Sequence, residues 1–228
     1  MTSVKYHVIA LFTVFVWGMT FVSTKVLLED FTPYWILLLR FVVGFLVLCA
    51  LRPHILKLKE RKHELLFVGA GATGIAAYYL MENIALQFTT ATNVGVIVAA
   101  SPLFTALLQA AMGDRSAMRV RFFVGFALAM AGLVIVGFGG VSGADVFMIG
   151  GSDLIGDLLA LLAAVVWAVY SMIVKKLADI GYETIASTKR TFLWGLVFIV
   201  PATLIFGGEC PALSVCVEPV NLANLLFL

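Results

Sequence analysis

Charge is what this sequence has least of. Charged side chains make up 12% of its residues and apolar ones 62%, whereas a soluble globular chain is roughly half apolar and a quarter charged. From Asn83 to Gly113 there is no Asp, Glu, Lys or Arg. Runs of that kind aggregate in water and span a bilayer, so a soluble fold is excluded and an integral membrane protein is expected. Cysteine is scarce as well: Cys49 lies inside an apolar run, and Cys210 and Cys216 share a loop. Metal-ligand spacing is missing, and with it any case for a metal or a resident cofactor. The sequence also lacks a nucleophile–base pair and a phosphate-cradling loop, which argues against an enzyme. The net charge of +2 resides in the loops, so it does not point to nucleic acid; its distribution along the chain is the useful signal.

What is present is a succession of apolar segments of the ~20 residues that a bilayer-spanning helix needs. They run Tyr6–Leu28, Tyr34–Leu51, Leu65–Phe88, Asn93–Met112, Phe122–Gly140, Leu158–Val174 and Ile185–Phe206, and Asn221–Leu228 begins an eighth. Lys5 ahead of the first run resembles a signal peptide, but the run is too long for an h-region. Thr89, Thr90, Thr92 and Asn93 offer capping side chains for a tight hairpin between the third and fourth spans. The loops after spans 2, 4 and 6 are basic, while those after spans 1, 5 and 7 carry Glu29/Asp30, Asp145/Asp153/Asp157 and Glu209/Glu218. That alternation predicts a cytoplasmic N-terminus in a plasma (inner) membrane protein.

The chain also repeats itself. An offset of 150 superposes Trp17 on Trp167, Lys25 on Lys175, Arg40 on Arg190, Ala10 on Ala160, Leu11 on Leu161 and Leu27 on Leu177. Five spans per copy is an odd number, so the copies have inverted topology. The expected organisation is a first repeat at 1–144, a Gly/Asp linker at 145–156 and a second repeat at 157–228. On this reckoning the second copy holds two of its spans and the start of a third, so the expectation is a truncated product or a fragment of a longer one. The alternative is a complete seven-span protein with a short tail.

Several of these pieces resemble the drug/metabolite transporter superfamily, EamA type. They are Trp17 with the small-polar helix after it, Asn83-Ile-Ala-Leu leading into Thr89–Thr92, and Ser101-Pro-Leu-Phe-Thr-Ala-Leu-Leu. The Gly113-Asp114-Arg115 turn, Gly125…Gly132-Leu-Val and Gly156-Asp-Leu-Leu-Ala-Leu…Trp167-Ala also match. The resemblance implies an all-α integral membrane protein with inverted five-helix repeats, a ten-helix carrier fold of which this chain holds seven complete spans and the start of an eighth. It also implies transport of a small organic solute, often by export. A receptor or photoreceptor with seven helices, using Lys175 as a Schiff-base lysine, and a non-transporting fragment are the alternatives. Neither the solute nor an oligomeric state is legible.

Charges inside the membrane are costly, so each is a candidate for function. Glu82 and Arg40 each lie about six residues from the outer end of their spans, or ~9 Å deep at the helical rise. They are expected to pair, as a structural ion pair or as a gate, unless Arg40 snorkels to the surface. Glu82 is also where proton coupling would enter. Lys25 is read either as a snorkelling residue or as a gate, and Arg190 as the mirror of Arg40 or a flanking charge. Trp17, Thr20, Phe21 and Thr24 share one face of span 1, with Trp167, Tyr170 and Ser171 among their counterparts, and Tyr78 shares a face of span 3 with Glu82. Such faces suit a cavity for a moderately polar solute, and helix packing explains the aromatics nearly as well. Pro102 is expected to kink span 4. Cys210 and Cys216 are a disulfide candidate, since the turn between them is short enough to close.

Overall fold

The computed structural model describes residues 2–116, 118–138 and 151–228. Residues 145–150 of the expected linker and 139–140 of the expected fifth span lie outside them. Among the described residues all regular structure is helical: α1 Thr2–Leu27, α2 Pro33–Leu51, α3 Glu64–Ala70, α4 Tyr78–Phe88, α5 Ala91–Val98, α6 Ser101–Ala111, α7 Val120–Phe138, α8 Gly151–Asp179, α9 Thr184–Phe206, α10 Leu213–Cys216 and α11 Pro219–Phe227. Six stretches are long and apolar enough to cross a membrane, namely Tyr6–Leu27, Pro33–Leu51, Arg61–Phe88, Ala91–Ala111, Leu154–Asp179 and Thr184–Phe206; the apolar run in α7, Val120–Leu133, is shorter. The protein is therefore a multi-pass membrane protein.

The helix ends follow local chemistry. Pro33 opens α2, where its missing N–H costs nothing. Thr90 caps α5, its hydroxyl accepting the Asn93 N–H at 3.1 Å, as the hairpin reading expected. The sixth span is longer than expected at both ends. Apolar Leu154, Ile155, Leu158 and Leu159 carry the helical period into the expected linker, and α8 begins at Gly151. Gly156 fits there because it lies against α4, where a Cβ would meet the Thr89 side chain at 2.9 Å and the Ala85 carbonyl at 3.0 Å. At the other end α8 passes through Lys175 and Lys176 to Asp179 and is closed by Gly181, whose φ of +84° favours glycine.

Helix association in a bilayer draws little on the hydrophobic effect and depends on close packing. Here α8 packs on α4, α5 and α6, while α9 packs on α2 and on the stretch joining α3 to α4. That stretch, Gly71–Ala77, is a π-helical widening in which the Tyr78 N–H donates to the Thr73 carbonyl five residues back. It presents glycines to both neighbours. A Cβ on Gly71 would stand 2.6 Å from the Gly195 backbone nitrogen, and one on Gly74 would stand 2.2 Å from the Tyr170 ring. Gly71→Ala is therefore expected to lower stability by about 1–3 kcal/mol, the usual cost of overpacking. Gly125→Ala, where a Cβ meets nothing within 4 Å, is expected to change it little; thermal unfolding in detergent compares the two. Large apolar side chains such as Phe12, Phe15, Leu46 and Leu204 point outward, as lipid contact requires.

The first described core cluster joins Phe21, Tyr78, Ala85, Leu86, Val94, Ala160 and Ala163, drawing on α1, α4, α5 and α8. Where an eighth apolar segment was expected, α11 packs beside α1, with Leu225 and Leu228 against Leu27, Phe31 and Ile36. Asn221 is buried there and donates to the Asp30 carboxylate at 2.9 Å and the Val215 carbonyl at 3.0 Å.

Candidate functional site

The fourth span is broken in its middle. Val98 ends α5, Ala99 and Ala100 form a turn, and Pro102 stands in the first turn of α6. The proline thus starts a second half-helix and does more than kink a continuous one, because its missing N–H leaves the preceding turn without a donor. Irregular backbone at membrane depth is tolerated where it lines a cavity, and two cavities meet at this break. One of about 520 Å³ lies beside α5, walled by Trp17, Gly18 and Phe21 of α1, Gly95 of α5 and Leu133 of α7. The other, of about 360 Å³, lies beside α6, walled by Thr105, Gln109, Phe122, Trp167 and Ser171. Ser101 and Pro102 line both.

An aromatic cluster stands beside the break. Trp17 and Trp167, the residues that the 150 offset superposes, touch with ring centroids 5.2 Å apart. Trp167 also packs against Tyr78 at 4.6 Å and Tyr170 at 5.1 Å, and Tyr78 packs against Tyr79 at 4.8 Å. Of the residues expected from sequence, Trp17, Phe21, Pro102, Trp167 and Ser171 line the cavities, and Tyr78 and Tyr170 pack against Trp167. Thr20 faces inward and donates to the Trp17 carbonyl at 2.6 Å, stiffening that turn.

The charges fall elsewhere than expected. Arg40 makes no ion pair with Glu82. Its guanidinium lies over the Tyr79 ring, 4.4 Å from the centroid, where a planar cation is well accommodated. Glu82 is fully buried one turn beyond Tyr78, and among the described residues no group lies in full hydrogen-bond geometry with either of its carboxyl oxygens, the neighbouring Tyr78 hydroxyl included. The hydroxyls of Tyr78 and Thr24 are likewise buried without a partner. Lys25 donates to the Leu86 carbonyl and, at 3.0 Å, to the Thr89 carbonyl, satisfying the end of α4 and its dipole. Lys175 is exposed at the end of the bundle, which removes the Schiff-base reading. The Cys210 and Cys216 thiols are both free. The short helix α10 turns Cys216 toward Leu27, Phe31 and Ile36, away from exposed Cys210.

Arg190 has the partner that Arg40 lacks, and it is one the sequence reading passed over. Its Nε donates to both oxygens of the Glu64 carboxylate at 3.1 Å, its Nη2 reaches the same group, and its Nη1 donates to the Leu56 carbonyl at 3.1 Å. The Trp194 indole N–H also donates to Glu64. Lys189 donates to the carbonyls of Arg52 and His54, and Tyr182 accepts the Lys59 N–H at 2.8 Å while contacting His63 Nδ1 at 2.9 Å. The loop after α2 is thereby strapped to the α8–α9 turn. Other residues missed were Ser101, Thr105 and Gln109, although their i, i+4, i+8 spacing inside a charge-free run was a readable sign of a polar face.

The sequence profile of the EamA-like transporter family matches residues 4–138. The chain belongs to that family. It is a membrane transporter and not an enzyme. An uncharacterised transporter of Archaeoglobus fulgidus is 27% identical over 226 residues, covering 98% of this chain and 74% of the relative. A probable amino-acid metabolite efflux pump of Escherichia coli K12 is 27% identical over 232 residues, covering 98% of this chain and 73% of that one. A solved crystal structure superposes with a TM-score of 0.59 at 21% identity, over 92% of this chain and 76% of the other; at that identity it speaks for the fold alone.

Proposed function

We propose that this chain is part or all of a carrier that exports a small organic solute across the plasma membrane by alternating access, with its two repeats inverted about the Trp17–Trp167 contact. The observation that carries this reading is the pair of cavities in opposite halves of the broken span, meeting at Ser101 and Pro102. A path interrupted at its midpoint beside a discontinuous helix is what alternating access requires. The efflux-pump name of the Escherichia coli relative supports the outward direction.

The orientation reading has support from packing. Thr32 donates to the Gly207 carbonyl at 3.0 Å, so the loops after α1 and α9 lie at one end. Arg52 pairs with Glu183 at 2.8 Å, so the loops after α2 and α8 lie at the other. The second end carries the basic residues and is taken as cytoplasmic. Proton coupling is assigned to Glu82. Its burial without a partner makes it the carboxyl on which a proton could ride, with Arg40 of α2 as the charge that would replace it.

Cysteine accessibility tests the carrier reading. In a background lacking Cys49, Cys210 and Cys216, a cysteine at Gly95 should react with an impermeant thiol reagent only from outside. One at Gln109 should react only from the cytoplasm. Simultaneous reaction of both positions from a single side would indicate an open pore and overturn the carrier.

A further inference from the structure

The carrier reading leaves the solute unnamed, and the cavity beside α6 narrows it. We infer that this cavity selects an uncharged aromatic solute bearing N–H or O–H donors, and discriminates against cations, anions and zwitterions of the same shape. The inference rests on the carrier reading for its relevance to transport, but the binding chemistry is set by six side chains: Ser101, Thr105, Gln109, Phe122, Trp167 and Ser171.

None of the described residues lining the cavity is charged. A charged group brought against such a wall finds no counter-charge to offset the hydration it gives up, a loss that a neutral solute escapes. A zwitterion incurs it twice. The charges around the rim, Asp114 after the end of α6, Arg121 beside Phe122 and Lys175 one turn beyond Ser171 on α8, are not among the residues that line the cavity.

The hydrogen bonds within the wall set which polar groups remain for a ligand. Thr105 donates its hydroxyl to the Ser101 carbonyl at 2.9 Å, and Ser171 donates to the Trp167 carbonyl at 2.8 Å. Both hydroxyl protons are used on backbone one turn earlier, so these oxygens face the cavity as acceptors. Free donors come from the Gln109 amide and the Trp167 indole N–H, neither of which has a partner among the described residues. A ligand therefore donates to Thr105 and Ser171 and can both accept from and donate to the Gln109 amide. Trp167 and Phe122 supply aromatic surface, and Trp167 is held in place by its contacts with Trp17, Tyr78 and Tyr170. About 360 Å³ lies at the small end of ligand cavities, which suits a solute of one ring system.

Four indoles of matched shape test this: N-acetyl-L-tryptophanamide (neutral), L-tryptophan (zwitterion), tryptamine (cation) and indole-3-propionate (anion). Each is radiolabelled and titrated onto the purified full chain in lipid nanodiscs. The neutral amide should bind saturably, and the other three at least about tenfold more weakly. Thr105→Val and Ser171→Ala, which remove the acceptors, should each weaken the amide by roughly three- to tenfold, the worth of one hydrogen bond. Gln109→Glu should reverse the preference toward tryptamine, a gain that a misfolded variant could not produce. Tryptophan or tryptamine binding as tightly as the neutral amide would overturn the inference. So would the absence of saturable amide binding to the unmodified chain, or amide binding that Thr105→Val and Ser171→Ala leave untouched. None of these results bears on the cysteine accessibility pattern, so the carrier reading fails or stands separately.

Discussion

Glu64→Ala is expected to lower stability by about 2–4 kcal/mol, somewhat less than the loss from breaking a fully buried pair, because about a quarter of each partner remains exposed. The carboxylate gathers the Arg190 guanidinium, with bonds at 3.1 Å to each oxygen, and the Trp194 indole. Without it Arg190 retains one acceptor among the described residues, the Leu56 carbonyl at 3.1 Å, and an unneutralised guanidinium stays at the foot of α9. The adjoining strap depends on the same geometry, since Lys189 follows the same turn onto the carbonyls of Arg52 and His54. Thermal unfolding in detergent checks the single variant. The double variant Glu64→Ala/Arg190→Ala should recover part of the loss, because the stranded charge goes with it. Equal melting of Glu64→Ala and the unmodified chain would mean that the pair contributes nothing to holding the α2–α3 loop on α9.

What was legible in the sequence follows from what each signal depends on. The positions of the spans were readable because a bilayer demands length and apolarity, which are one-dimensional properties; α2 and α9 begin within one residue of the expected place. The break in span 4 was foreshadowed by Pro102, and its cavity-facing aromatics by the repeat and by face periodicity. Depth along a helix was a poor guide to pairing. Arg40 and Glu82 were expected level with each other, yet the guanidinium lies over the Tyr79 ring instead. Arg190 failed in the opposite way. Its partner Glu64 sits in the first turn of α3, and in the sequence it reads as one acid among the loop's basic residues. The role of Lys25 could not be seen because the carbonyls it satisfies are 61 and 64 residues away. Backbone acceptors leave no mark in a sequence.

Under the proposed coupling, Glu82→Gln should uncouple transport from the proton gradient while leaving the fold and the solute pathway intact. The side chain is fully buried, with neither oxygen bonded, and it is nearly isosteric with glutamine, so packing changes little. An ionised carboxylate enclosed at membrane depth needs a counter-charge to offset its lost hydration. The titratable and charged groups on the elements around it are Tyr78 and Tyr79 beside it, Arg40 on α2, Lys25 on α1, and Asp157 and Tyr170 on α8. Lys25 is engaged with the Leu86 and Thr89 carbonyls. That leaves Arg40, now over Tyr79, as the cation able to swing onto Glu82 when the proton leaves. The proposed cycle then alternates a site of charge +1, protonated Glu82 with Arg40 on the ring, and a neutral one, ionised Glu82 with Arg40 upon it. One proton exchanged per solute across one pH unit supplies about 1.4 kcal/mol, or roughly tenfold accumulation. In proteoliposomes the unmodified carrier should approach that ratio. Glu82→Gln should reach about onefold under the same gradient, yet still exchange labelled solute for unlabelled. Arg40→Lys should impair coupling as well, because an ammonium lacks the flat face that rests on Tyr79. Accumulation by Glu82→Gln equal to that of the unmodified chain would remove the proton from this residue.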